Sequence, residues 1–161
     1  MDCCFVEGNK RFRYRACAII VEDGYVLFAK NSLDDYYYSI GGAVEFGETV
    51  EDAVKREVLE ETGEHYEIDR LAFLHENFFT GSGTLDGLEC HEIAVYFLMK
   101  PKGKKELKCT STATCGAEEN VCWLPIDKLK DYKAFPAFLA EKLKNLEGEF
   151  EHIVTRQNCM T

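Results

Sequence analysis

Three glutamates, Glu57, Glu60 and Glu61, preceded by Arg56, are the residues whose type and spacing could do chemistry. They lie in a stretch from Thr49 to Gly63 that carries helix signals at both ends. Thr49 is a candidate N-cap, and Asp52, three residues later, completes a variant of the capping box. Gly63 stands where a left-handed cap wants no side chain. With no proline in between, the spacing predicts a helix of about four turns. At about 100° per residue the acids fall in the sector of Val50, Ala53 and Val54, whereas a solvated acidic face would oppose those residues. Glu57 meets Glu61 at i+4 and Glu60 at i+3, like-charge contacts that each cost roughly 0.2–0.5 kcal/mol in an isolated helix. A divalent cation would offset that repulsion, and hard Mg²⁺ or Mn²⁺ prefers such carboxylate oxygens.

The wider pattern is glycine, five residues, glutamate, seven residues, then Arg-Glu-aliphatic-any-Glu-Glu-any-Gly. Gly42, Glu48, Arg56, Glu57, Val58, Glu60, Glu61 and Gly63 meet it in register. This stretch resembles the Nudix box of the MutT-like Nudix hydrolases. The position that normally closes the box with an aliphatic residue is Glu64, and the proline many members carry before the paired glycines is Ile40. The resemblance implies an α/β fold, an α/β/α sandwich around a mixed sheet. It also implies Mg²⁺- or Mn²⁺-dependent hydrolysis of the pyrophosphate in a nucleoside diphosphate linked to another moiety. Nucleotide sugars, dinucleoside polyphosphates and modified nucleoside triphosphates all satisfy that description. The Gly41 carbonyl then joins Glu57, Glu60 and Glu61 as metal ligands, Arg56 orients the glutamates, and Glu48 steadies the loop–helix junction or binds an outer metal. In related enzymes an acid ahead of a late strand joins the cluster, which nominates Glu118 or Glu119. The general base is Glu57 or one of that pair. Homodimers are common in such a family, though no patch in this sequence marks an interface. Two other classes compete: a non-catalytic nucleotide-binding module, and a structural protein whose acidic helix matches the box by accident.

Composition sets the outer bounds. At 161 residues the chain is expected to form one domain with one core. A net charge of −10 argues against nucleic acid as a partner, which needs a basic surface. No apolar run approaches the ~18–20 residues that cross a membrane. The first seven residues lack the pattern of a secretory leader, so a cytoplasmic location with reduced cysteines is expected. A zinc site from Cys109, Cys115, Cys122 and a histidine has the wrong spacing for a knuckle.

Around the helix, the run from Phe12 to Val21 reads as a strand entering a sheet covered on both faces. Asp23-Gly24 reads as a hairpin turn into a strand from Tyr25 to Lys30. Arg11, Arg13 and Arg15 alternate on the first strand. Arg15 is a candidate for a substrate phosphate, whereas Arg11 and Arg13 read as its wet face. A polar turn from Asn31 to Asp35 precedes Tyr36, Tyr37 and Tyr38, one of which, Tyr38 among them, could stack on a base or ribose. Strands are expected over 71–79 and 91–99, with His91 in a structural hydrogen bond and Glu92 at the cleft edge. The stretch from Pro101 to Asn120 is long and lysine-rich, and its lysines meet either a polyanionic substrate or water. A strand from Val121 to Ile126, a helix from Phe135 to Leu143 with Pro136 in its first turn, and an edge strand from Glu149 to Arg156 complete the reading.

Overall fold

The computed structural model describes residues 1–107, 111–112 and 118–157, leaving Lys108, Cys109, Cys115, Cys159 and the side chain of Glu118 outside the described residues. The strands are β1 (Cys4–Glu7), β2 (Lys10–Ile19), β3 (Val21–Glu22), β4 (Tyr25–Asn31), β5 (Tyr37–Ala43), β6 (Ile68–Thr80), β7 (Glu89–Met99), β8 (Ser111–Thr112), β9 (Glu118–Pro125), β10 (Ala134–Phe135) and β11 (Glu151–Arg156). The helices are α1 (Val50–Thr62) and α2 (Leu139–Lys142), with single 3₁₀ segments at Gly83–Leu85 and Ile126–Asp131.

The main path of the sheet runs β11-β6-β7-β2-β5-β4-β9-β8. It is mixed: β2 with β7 and β6 with β11 are parallel, while β2 with β5 and β4 with β9 are antiparallel. The first half of β5 pairs with β4 at Tyr38 and Ser39, and its second half pairs with β2 from Ile40 to Ala43. One strand thus links both halves of the sheet and delivers the paired glycines to the middle of the molecule.

Period-2 alternation on β2 explains the layers. Ala16 and Ala18, with Ile20 one residue past the strand, face α1, packing with Ala53, Val54 and Val58. Cys17 and Ile19 face the opposite layer, with Leu129, Leu139 and Leu143. Val54 and Val58 are fully buried, each removal from water contributing roughly 1.5–3 kcal/mol. An α/β/α sandwich around a mixed sheet results. Among the described residues no helix is long and apolar enough to cross a membrane.

Several local expectations change. The first strand begins earlier, at Lys10, and an unforeseen β1 pairs with it through Phe5 and Phe12. The helix expected over 135–143 shrinks to the single turn of α2, because Ala134 and Phe135 are taken as β10, pairing with Tyr37 and Tyr38. His91 makes no hydrogen bond through its buried Nε2; its ring instead stacks on Phe78 at 4.3 Å between centroids. Lys102 and Lys104 pair with Glu64 at 3.3 and 3.1 Å. The acid that replaces the box's aliphatic residue draws these lysines to the helix exit, away from the cleft.

His75 on β6 is buried, and its Nε2 lies 2.7 Å from the Thr155 hydroxyl. Burial holds its pKa down, from 6.5 to about 4. The folded state therefore stays unprotonated where the unfolded chain takes up a proton. Stability from this group is complete above about 6.5 and is lost as pH falls towards about 4. Thermal midpoints of the wild type should fall over that window relative to His75→Gln, with a difference slope no steeper than about 1.4 kcal/mol per pH unit. Parallel curves for the two proteins would disprove this.

Candidate active site

A cleft of roughly 640 Å³ opens where β2, β5, α1 and β9 meet, and Gly41, Gly42, Arg56, Glu57, Glu60, Glu61 and Glu119 line one end of it. Helix capping sets the phase of the acids. Thr49 accepts the Asp52 N–H at 3.1 Å and donates its hydroxyl to the Asp52 carboxylate at 2.8 Å, so Asp52 closes the cap through the hydroxyl rather than the backbone. At the other end Gly63 adopts φ 72 and ψ 5, and its N–H donates to the Leu59 carbonyl.

Arg56 joins helix to loop. Its Nε and Nη2 donate to both oxygens of Glu48 at 2.8 and 2.9 Å, and Nη2 also reaches the Ala43 carbonyl at 3.2 Å. Nη1 donates to Glu57 Oε1 at 2.7 Å and lies 3.5 Å from Glu60. Such a planar fork holds two carboxylates in fixed orientation, which a lysine would not do. Gly42 lies directly beneath Glu57: a Cβ there would sit 2.5 Å from the carboxylate carbon and both oxygens. The glycine leaves room for the glutamate to cross the loop.

Glu61 is buried, and its Oε2 accepts the Gly41 N–H at 3.1 Å. Its side chain is also in hydrogen-bond contact with Glu119. Glu119 in turn accepts from the Tyr38 hydroxyl at 2.7 Å. Burial, with the charges of Glu119 and Glu57, pushes the Glu61 pKa well above the ordinary carboxylate range. Glu57 is also shifted up, chiefly by burial, against the pull of Arg56. Glu60 is the most solvent-facing of the three, its side chain 56% exposed. Among the described residues no three acidic, histidine or cysteine side chains converge on one point. Glu57 is turned to Arg56, and Glu61 to Gly41 and Glu119. The donor set is nonetheless all oxygen, and two repelling carboxylates share a buried corner, which fits a hard divalent cation.

The other end of the cleft is basic. Arg11, Arg13 and Arg15 all line it, although only Arg15 carries a substrate-contact signal in the sequence. Glu92 stands among them, 3.2 Å from Arg11 and 3.8 Å from Arg15. Tyr36 and Tyr38 line the same space, while Tyr37 packs against Tyr132 on the opposite layer. Phe135 meets Tyr36 edge to face at 5.6 Å. No local signal marks Phe135, Asn77 or Phe79 as cleft residues. They arrive through the pairing of β10 with β5 and of β6 with β7.

A helix presenting acids beneath a glycine loop, over one end of a mixed sheet, defines a class of sandwich folds that known proteins share. A MutT protein of Bacillus halodurans superposes with a TM-score of 0.64 at 18% identity, covering 89% of this chain and 90% of that one. One from Methanosarcina mazei Go1 gives 0.64 at 20%, covering 88% and 96%. Among curated proteins, a MutT-like protein of Streptomyces ambofaciens is 30% identical over 138 residues, 86% of this chain and 79% of the relative. The NUDIX domain model matches residues 11–146. The chain belongs to the NUDIX family, and as such is a hydrolase.

Proposed function

We propose that the protein hydrolyses the phosphoanhydride of a nucleoside diphosphate linked to another moiety, with Mg²⁺ or Mn²⁺. The observation that carries this reading is the buried Glu61 carboxylate in contact with Glu119, within the cleft that Glu57 and Glu60 also line. Glu57, Glu60 and Glu61, with the Gly41 carbonyl, would hold the metal. When bound, the ion supplies Lewis acidity towards phosphate oxygens and lowers the pKa of a water. Arg56 keeps Glu57 aimed into the cleft. Arg15 faces the incoming phosphate. Glu57, Glu118 or Glu119 takes the proton of the attacking water. As the water oxygen bonds to phosphorus, the anhydride P–O bond breaks and its electron pair leaves with the second phosphate. Tyr38 holds Glu119 in place through its hydroxyl.

The test is phosphate-ester product formation from nucleotide sugars, dinucleoside polyphosphates and nucleoside triphosphates, with Mg²⁺, Mn²⁺ or EDTA in parallel. Turnover that requires the metal is expected. Metal-dependent thermal stabilisation without turnover on any compound would point to a nucleotide-binding module instead.

A further inference from the structure

Three guanidinium groups on one strand face are opposed by a single carboxylate. Arg11, Arg13 and Arg15 occur at alternate positions of β2, so their side chains leave the same face, spread over about 13 Å at ~3.3 Å per residue. Glu92 pairs with Arg11 and Arg15, leaving Arg13 with no hydrogen bond or ion pair among the described residues. The Nε of Arg15 is buried without a partner. Burial and repulsion from Arg15 and Arg11 press the Arg13 pKa down, with Glu92 opposing them. Across the strands Arg13 aligns with Glu92, and Glu92 with Asn77. The Asn77 Oδ1 is taken by the Thr155 hydroxyl at 2.7 Å, which leaves its amide N–H₂ as the end free to donate. A partly buried guanidinium that shares one carboxylate with two others, and makes no hydrogen bond of its own, costs stability in the free protein, and an anion offsets that cost.

We propose that Arg11 and Arg13, with the Asn77 amide, form a second anion site, and that the preferred substrates carry a further phosphate beyond the scissile anhydride. This rests on the hydrolase reading above. Arg15 stands nearest the acidic end, its backbone paired with Ala43 at the glycine loop. Arg13 and Arg11 are displaced along the strand from Arg15 by about 7 and 13 Å at ~3.3 Å per residue, away from the acidic end, where a phosphate additional to the scissile pair would meet them. The extra phosphate sits either in a longer phosphate chain or at the far end of the linked sugar.

Two measurements test this, and only the second needs turnover. In EDTA, inorganic tripolyphosphate should raise the thermal midpoint of the wild type and of Glu61→Gln, and have little effect on Arg13→Met or Arg11→Gln. An equal response in all four proteins would overturn the site even if the enzyme is active. With Mg²⁺, kcat/KM should favour diadenosine tetraphosphate over diadenosine diphosphate, or ADP-ribose 1″-phosphate over ADP-ribose, by at least about tenfold. Which pair discriminates identifies the position of the phosphate, and Arg13→Met should remove the preference while leaving the less charged partner's rate unchanged. No preference in either pair overturns the proposal. Because Arg13 lacks a partner, Arg13→Met should melt no lower than the wild type without ligand. Arg11→Gln gives the same readout if that variant fails to fold.

Discussion

Replacing Glu61 with glutamine should lower metal-dependent kcat by roughly 10²–10⁴-fold while raising the thermal midpoint of the metal-free protein. Both effects come from one side chain. Glu61 is buried, its pKa pushed well up by burial and by the charges of Glu119 and Glu57. At pH above the ordinary carboxylate range, burying its charge or taking up a proton to avoid that costs folding free energy that an isosteric amide does not. The amide oxygen can still accept the Gly41 N–H, now at 3.1 Å, and the amide nitrogen can donate to Glu119. The sign of the pH dependence follows. A raised folded pKa means that the native state takes up a proton more readily than the unfolded chain, so the wild type gains on the variant as pH falls. Without metal, the stability gap between Glu61→Gln and wild type should therefore narrow on acidification. Added Mg²⁺ should close it from the other side by stabilising only the wild type. Full turnover by Glu61→Gln would remove this residue from the site.

The largest stability effect is expected at Gly41. Its φ of 137° is one that residues with side chains rarely adopt. A Cβ there would lie 2.1 Å from the Ala16 carbonyl oxygen and 2.7 Å from the Cys17 Cα. Both are backbone atoms of β2, buried at the centre of the sheet, and neither can move without opening the β2–β5 ladder. Overpacking costs about 1–3 kcal/mol and a forced backbone conformation a similar amount. Gly41→Ala should thus lose roughly 2–6 kcal/mol, a large share of the ~5–15 kcal/mol typical of a domain. A chemical-denaturation midpoint within error of wild type would refute the packing argument. Gly42→Ala should differ in kind, because its clash is with the Glu57 side chain, so activity should suffer more than stability.

The acidic helix was legible residue by residue, since capping and periodicity are local and α1 starts and stops where Thr49 and Gly63 say. The layers followed from β2, whose alternation buries both faces. What escaped was set by pairing between distant strands. Arg11 and Arg13 look solvent-facing on β2 alone, and only β6 and β7 alongside turn that face into a wall. Phe135 reads as helix until β5 claims it as a partner. Lys102 and Lys104 read as free charges because nothing local says that Glu64 waits some forty residues earlier. Among three adjacent tyrosines the parity of β5 assigns Tyr36 and Tyr38 to the cleft, which composition alone could not do.

The contacts of the segment after Pro101 have a bearing on where Glu119 lands. The Lys102 and Gly103 amides donate to the buried Glu22, and the Trp123 indole donates to the Lys105 carbonyl at 2.8 Å. The approach to β9 and the middle of that strand are thereby moored to each other and to the β3–β4 hairpin. A strand shifted by a single residue presents its other face, and in β9 that slip would take Glu119 out of the cleft. Ties far from the chemistry thus keep the acidic partner of Glu61 in frame. Weakening them, as with Trp123→Phe, would be felt as mis-registration of one carboxylate rather than as a loss of packing.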